Sequence, residues 1–468
     1  MPQTLDELTA GLPAPLDVPA QAVADAAGEN SRILVVLDDD PTGTQSVADL
    51  PVLTDFTPES LEWGLSQGCP AIYVMTNSRS LDPEAAAAIN REVADAAYEA
   101  AGRLGVQIAF VSRSDSTLRG HFPLEPQVLA DAVRRHEGRN VDGIVIVPAF
   151  GDAGRITVHG VHYAGNPTDG YTPAGETEFA RDATFGYRSS DLREWVEEKT
   201  GGATKASEVI AIDLATLRTD LDAVVAQLRE ASDARPIVVD IVDEADLRQL
   251  SLALQQAEDA GSTFLYRVGP PFGRARIGQD VHPPLDGSQA TDAVGGLIVV
   301  GSHVSMTTRQ LDALRERRTP TELEIDVAQV LGEGRDAHLD AVVEQAIRGL
   351  AKGNVVVRTS RTLVTGADAQ SSLALSRAVS TAVVEVVQRI LAASKPRFVI
   401  AKGGITSSDV ASRGLGIKRA FVRGPMLPGI VSLWEPMDGP AQGIPYIVFA
   451  GNVGGPESLA DVVDKLSA

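Results

Sequence analysis

Short aliphatic runs recur along the chain: RILVVL (32–37), AIYVMT (71–76), QIAFVS (107–112), GIVIVP (143–148), VIAID (209–213), PIVVDIV (236–242), FLYRV (264–268), GLIVVG (296–301), NVVVRT (354–359), RFVIA (397–401) and YIVFAG (446–451). These runs barely alternate with polar residues, so each predicts a strand buried on both faces, the signature of a parallel sheet. Parallel strands need crossover connections, and helical stretches lie between the runs. Residues 82–104 open on Asp-Pro, an N-cap followed by a first-turn proline. Ile89, Val93, Ala97, Ala100 and Leu104 then repeat at helical spacing until Gly105. Residues 307–318 and 368–393 read the same way, so the fold class is α/β.

A length of 468 residues suits more than one domain. The stretch HPPLDGSQATDAVGG (282–296) is rich in Pro, Gly and polar residues and reads as the junction. It predicts a first domain over 1–285, a linker over 286–295 and a second domain over 296–468, with 1–30 as a peripheral leader or first helix. Cys69 is the one cysteine, which excludes an internal disulfide framework and fits a cytoplasmic setting. The N-terminus lacks a signal peptide's basic and apolar regions, and no apolar run approaches ~20 residues, so neither secretion nor a membrane partner is expected. A net charge of −22 argues against nucleic acid as a partner. It leaves room for a small anion held by clustered arginines.

Ligands of open α/β sheets bind beyond the carboxyl ends of strands. Four runs of the first domain end in polar clusters: DDDPTGTQ (38–45), TNSRS (76–80), SRSDSTLRGH (112–121) and PAFGDAGR (148–155). Together they supply Asp39, Asp40, Asn77, Arg79, Arg113, Asp115, Arg119 and Arg155. Guanidinium forks suit carboxylate or phosphate, and carboxylates orient or deprotonate a hydroxyl. A small hydroxy acid needs both. The second domain ends its runs in GSHVS (301–305), RTSRT (358–362), KGGITS (402–407) and GNVGG (451–455). Glycines there let a phosphate approach the backbone, and successive N–H groups cradle it.

Each feature also has a plainer reading. A glycine loop after a strand is often only a turn, an Asp after a strand is often a cap, and a lone Arg is often solvated. His121, His159, His162 and His303 sit near the motifs without metal-ligand spacing, so no metal site is assigned. No P-loop, dinucleotide-binding or nucleophile-elbow motif occurs. Asp38-x-Asp40-x-Thr42 resembles the first motif of haloacid dehalogenase-type phosphohydrolases, where the first Asp attacks phosphorus. That reading finds no acidic pair near 152–156 and leaves the glycine loops unexplained.

Taken together, the motifs resemble the four-carbon acid sugar kinase family over nearly the whole chain. The family's Asp-Asp-x-Thr-Gly is similar to Asp39-Asp40-Pro41-Thr42-Gly43, and its Lys-x-Asp-Ser-Thr-Leu-Arg-Gly to Arg113-Ser114-Asp115-Ser116-Thr117-Leu118-Arg119-Gly120. Pro148-Ala149-Phe150 with Gly154-Arg155, the stretch Glu176 to Asp182, Gly301-Ser302 with Thr308 and Gln310, Gly403 to Ser407, and Gly451 to Gly454 follow in order.

The resemblance implies two α/β domains with mainly parallel sheets and an active site in the cleft between them. It implies a sugar-acid domain first, a nucleotide domain second, and ATP with Mg²⁺ as cofactors. The reaction would be phosphorylation of a hydroxyl on a tetronate, a 3-oxo-tetronate or a related acid. Substrate binding would fall to Asp39, Thr42, Asn77, Arg79, Arg113, Ser116, Arg119 and Arg155, with Asp40 or Asp115 acting on the hydroxyl. Nucleotide binding would fall to Ser302, Ser305, Gly403, Gly404, Ile405, Thr406, Gly451, Asn452 and Gly454. The chain departs from the family pattern at Pro41, at Arg113 in place of lysine, and at Ile405, where an acid is usual. A nucleotide-regulated sugar-acid sensor without turnover is the alternative that the missing acid leaves open. A homodimer is the default expectation for an enzyme of this kind.

Overall fold

The computed structural model describes residues 2–28, 32–361, 369–451 and 453–468. The chain divides into two units: Met1–Val47 with Phe56–Val281, and Ala48–Asp55 with His282–Ala468. The short segment Ala48–Asp55 thus belongs with the C-terminal part of the chain, although 1–285 reads as one domain in the sequence. The stretch 282–296 is also docked rather than free. Leu285 and Ala290 pack on the core of the second unit, and Thr291 N–H donates to the Arg397 carbonyl at 3.1 Å.

In the first unit, seven strands run parallel in the order Ala71–Met75, Ile33–Asp38, Ile108–Arg113, Phe264–Val268, Gly143–Val147, Arg235–Val239 and Ile210–Ile212. The aliphatic residues of Ile33–Asp38 explain its central place. Leu34, Val35, Val36 and Leu37 are all buried, and burying each contributes about 1.5–3 kcal/mol before entropy is counted. The chain pairs its first strand with Ala71–Met75 on one side and then with Ile108–Arg113 on the other. The sheet order therefore reverses at Asp38, which is where an open α/β sheet offers a crevice.

The helix Pro83–Leu104 forms as the sequence predicts. Asp82 accepts from Ala85 N–H at 2.9 Å, Pro83 takes the first turn, and Gly105 ends the helix in the left-handed region. A second, three-stranded antiparallel sheet (Arg155–Val158, Val161–Asn166, Gly170–Pro173) was not evident from the aliphatic runs. Ile156, Val158, Tyr163 and Tyr171 bury one face of it against Leu8, and Gln3 pairs with Tyr171. The leader is thereby held to the first unit.

The second unit has five parallel strands: Thr321–Ile325, Val355–Thr359, Leu297–Val300, Val399–Lys402 and Tyr446–Phe449. Three antiparallel strands extend it: Ile430–Pro436, Arg419–Leu427 and Leu50–Leu53. Helices Ser305–Arg318 and Ser458–Ser467 follow two of the glycine loops. No helix among the described residues is long and apolar enough to cross a membrane.

Candidate functional site

In the register of the first sheet, Asp38 lies opposite Arg113 on the neighbouring strand. The two side chains form an ion pair that is almost wholly shielded from water. Asp38 Oδ2 and Arg113 Nε make no hydrogen bond, and both face Gly43. A Cβ at Gly43 would stand 2.1 Å from Asp38 Oδ2 and 2.2 Å from Arg113 Nε. The glycine of the Asp-Asp-x-Thr-Gly stretch is therefore required by a buried ion pair. Burial raises the Asp38 carboxyl to about 7 although Arg113 opposes it. Asp38 is sealed in the protein and tied to Arg113, so it is not placed to attack phosphorus.

Asp39 and Asp40 both meet Arg79. Arg79 donates to both oxygens of Asp39, from Nε at 3.1 Å and Nη2 at 2.6 Å, a bidentate pair. Arg79 Nη1 also reaches Asp40 at 3.5 Å, and Arg113 donates to the Asp40 carbonyl. Burial raises Asp39. Burial would raise Asp40 too, but Arg79, Arg113 and two hydrogen bonds from Thr42 outweigh it and lower the carboxyl. Those Thr42 bonds, from N–H at 2.9 Å and Oγ1 at 2.6 Å, cap the turn Pro41–Ser46.

The loop after Ile108–Arg113 carries the other charges. Arg119 Nε donates to Asp115 at 2.6 Å, and Thr117 Oγ1 donates to the same carboxylate. Burial would raise Asp115, but Arg79 and Arg119 hold it far below the usual carboxylate range. Leu118 sits in the left-handed region at φ 67°. Two groups outside this loop hold it, Tyr187 and His162. Tyr187 donates to the Thr117 carbonyl at 2.8 Å. His162 Nε2 lies 2.8 Å from the Ser116 carbonyl, so that nitrogen carries the proton and Nδ1 accepts from Thr157 at 2.9 Å. Burial keeps this imidazole neutral, lowering it to about 4.

Arg155 is different. It forms no ion pair among the described residues, and its Nε makes no hydrogen bond. Its Nη1 donates to the Ala153 carbonyl, and its guanidinium lies 5.7 Å from the centroid of the Phe179 ring. Arg119 lies 5.5 Å from the same ring. Burial lowers Arg155, with Asp115 opposing, and a guanidinium remains charged at any working pH. This cation is available to an anionic ligand.

The structure therefore joins Asp39, Asp40, Arg79, Arg113, Asp115 and Arg119 in one charge network, with Arg155 near it through Phe179. Two further expected residues, Asn77 and Ser116, lie in the same loops. Asn77 Nδ2 donates to Ser80 at 3.2 Å within its own turn, and Ser116 is buried with its carbonyl engaged by His162. Sequence reasoning missed Glu125 and Arg267. They form a buried ion pair beneath the network, with Ser78, Asn90 and Ser112 bonded to it. The available signal was an arginine within an otherwise apolar strand run, FLYRV. Gly120, at φ +120°, admits this support: a Cβ there would lie 2.7 Å from Arg267 Nη2 and 3.0 Å from Asp39 Oδ2.

In the second unit, three loops converge. Thr307 Oγ1 donates to the Gly451 carbonyl at 3.0 Å and lies 3.1 Å from Ser302 Oγ. A Cβ at Gly301 would lie 2.1 Å from Thr406 Oγ1, and one at Gly451 would lie 2.6 Å from Ser302 Oγ. These glycines are close-approach positions. Gln310 ties down the carbonyls of Val453 and Gly455 at 3.0 and 2.9 Å. Gly454, at φ +79°, makes the turn before the last helix. Ser305 is exposed in the first turn of Ser305–Arg318, and Gly404 and Ile405 open the helix Gly404–Asp409. Asn452 lies outside the described residues. Lys402, fully buried beneath these loops, is a further group the sequence reading passed over. No group of three or more metal-ligating side chains occurs among the described residues.

Comparison with known proteins follows the same division. Residues 34–276 match the family model of a sugar-binding N-terminal domain, and residues 297–459 match that of a nucleotide-binding C-terminal domain. The chain is 28% identical over 388 residues to a D-threonate kinase of Bordetella bronchiseptica, covering 82% of this chain and 83% of that protein. It is 28% identical over 271 residues to a D-erythronate kinase of Heliobacterium modesticaldum, covering 57% of this chain and 55% of that protein. It is 27% identical over 276 residues to a 3-oxo-isoapionate kinase of Paraburkholderia graminis, covering 56% of this chain and 57% of that protein. The last two matches span about half the length of those relatives. A Salmonella typhimurium crystal structure covers 92% of this chain and 98% of its own, at TM-score 0.65 and 20% identity. A Haemophilus influenzae structure, from a family described as a domain of unknown function, covers 92% and 100% at TM-score 0.61 and 19% identity. Both share the fold.

Proposed function

This chain belongs to the four-carbon acid sugar kinase family, and from that premise we propose that it transfers a phosphoryl group from ATP to a hydroxyl of a small sugar acid. The observation that carries this reading is the contrast within the first unit's network. Asp40 and Asp115 are held ionised by arginines, while Arg155 has no carboxylate among the described residues. A ligand with one carboxylate and several hydroxyls meets both needs. Its carboxylate goes to Arg155, and its hydroxyls go to carboxylates that only accept.

Asp40 and Asp115 are weak bases, because their neighbouring cations lower them. Their part is to accept a hydrogen bond from the reacting hydroxyl and aim its oxygen. That suits phosphoryl transfer, whose loose transition state depends on positioning and charge more than on proton removal. Arg79 and Arg113 hold Asp39 and Asp40 in place, and the Glu125–Arg267 pair supports them from below.

In the second unit, Gly301, Ser302, Gly403, Thr406, Gly451 and Gly454 form the cradle for the nucleotide phosphates. ATP bound there would supply the phosphoryl group. Ile405 stands where an acid is usual, so the Gly-Gly-Ile-Thr loop brings no carboxylate of its own to a Mg²⁺. Mg²⁺ is therefore assigned to the ATP phosphates, which commonly hold it with several waters.

The test is ADP release over a panel of acids that includes D-threonate, D-erythronate and 3-oxo-isoapionate, with binding of each acid measured in parallel. ADP release that depends on one of these acids is the expected result. Binding without release would replace the kinase with a sensor. Phosphate release from phosphorylated sugars without ATP would replace it with a phosphatase.

A further inference from the structure

Lysine is almost never fully buried without a partner charge, yet Lys402 is 0% exposed. It ends the strand Val399–Lys402 at the junction of the three loops of the second unit. Its carbonyl accepts from Gly301 N–H at 3.2 Å and Ser302 N–H at 3.3 Å. Its amine donates to the Ala450 carbonyl at 2.6 Å and lies 3.4 Å from that of Gly451. The next residue, Gly403, donates its N–H to the Phe449 carbonyl at 2.9 Å. One residue thus ties together every loop assigned to the phosphates.

Among the described residues no carboxylate pairs with the amine. The ring of Phe449 lies 3.9 Å away. The elements around it carry His303, Arg309, Arg361, Asp409 and Tyr446, and Arg361 donates to the Ser302 carbonyl and to Thr308 Oγ1. Asp409 is taken up by Ser380, and Tyr446 donates to the Ser407 carbonyl at 2.5 Å. Burial alone lowers the amine to about 6, so it is mostly neutral when the loops are empty. Ile405, where an acid is usual in the family pattern, leaves no carboxylate in the Gly-Gly-Ile-Thr loop to compensate a charge.

We propose that Lys402 is a positioning residue for the nucleotide, which holds the three loops in register and takes up a proton when a polyphosphate settles on them. The step is simple in its balance: one proton moves from solvent to the amine, and no other bond changes. The charge appears when the anion does, so the empty site carries no buried ammonium. The inference rests on reading these loops as the nucleotide site.

The experiment is titration calorimetry of ADP into the full chain at pH 8, in two buffers that differ in ionisation enthalpy. At that pH the diphosphate is almost fully ionised, so it has almost no proton of its own to release. Wild-type protein should bind ADP with net uptake of a proton. Lys402→Met should bind roughly tenfold or more weakly, as expected for loss of one nearby charge, and without uptake. Lys402→Arg, which is charged before binding, should recover affinity in part, again without uptake. Wild-type binding with no proton uptake overturns the proposal without reference to any variant. So does a folded Lys402→Met with unchanged affinity. Wild-type protein that binds no ADP overturns the nucleotide reading itself, and this proposal with it.

Discussion

Replacing Gly43 with alanine isolates one cause. Its φ lies outside the left-handed region, so alanine is free to adopt the backbone there. The cost comes from contact alone. The new Cβ would stand 2.1 Å from Asp38 Oδ2 and 2.2 Å from Arg113 Nε, well inside the 3.0 Å that real Cβ atoms respect. Each atom would have to retreat by about an ångström, inside a pair that no water reaches. Breaking a buried pair costs about 3–5 kcal/mol. Taking about 3 kcal/mol, the unfolding transition of the first unit should fall by roughly 6–12 °C in calorimetry. Sugar-acid affinity should fall as well, because Arg113 also holds the Asp40 carbonyl. Asp38→Ala removes one of the obstructing groups, so Gly43→Ala should cost less in that background than in the wild type. The double-mutant cycle should show a coupling of about 1 kcal/mol or more. A Gly43→Ala protein that melts within about 1 °C of wild type, or costs that simply add, would refute the reasoning.

Other outcomes follow from the same geometry. Arg155→Met should raise KM for the acid about 10–100-fold, the worth of one charged hydrogen bond, while leaving KM for ATP unchanged in steady-state kinetics. Asp115→Asn and Asp40→Asn should each lower kcat by roughly 100-fold, and full turnover in both would remove the orienting role assigned to them. Gly120→Ala, strained at φ +120° and crowded by Arg267, should destabilise by about 1–3 kcal/mol in denaturant titration. His162 protonates near 6.5 in the unfolded chain but only near 4 in the fold. Its contribution is therefore intact above about 7 and is lost as pH falls from about 6.5 to 4, a loss of roughly 3 kcal/mol. His162→Gln should flatten that part of the acid limb in stability measured against pH.

The parallel strands were legible because strands buried on both faces cannot hide their composition. The network residues on strand ends, from Asp39 to Arg119, were legible because loops beyond a parallel sheet collect the polar groups. What escaped obeys other constraints. Arg155–Val158 and Val161–Asn166 mix polar and apolar residues, and Arg419–Leu427 contains Gly424 and Pro425, so none reads as an aliphatic run. Glu125 and Lys402 lie inside a helix and a strand, where sequence gives no sign that a charge is buried. Asp38 pairs with Arg113 inside the fold, and no spacing rule foretold that partner. That depended on register.

The strand Leu50–Leu53 carries a consequence for how the chain can be made and divided. It pairs with Arg419–Leu427, and Thr54 donates to the Ile417 carbonyl across 363 residues. The strand leaves the ribosome some 363 residues ahead of its partner. Closing so long a loop is slow, and during synthesis both edges stay open to other chains. A single cut near residue 281 would not release two whole domains. It would take from the second its outermost strand and expose the edge of Arg419–Leu427, while leaving that strand stranded in the first. Recombining the two pieces, or grafting residues 48–55 back onto the C-terminal piece, is what independent folding of the nucleotide-binding part would require.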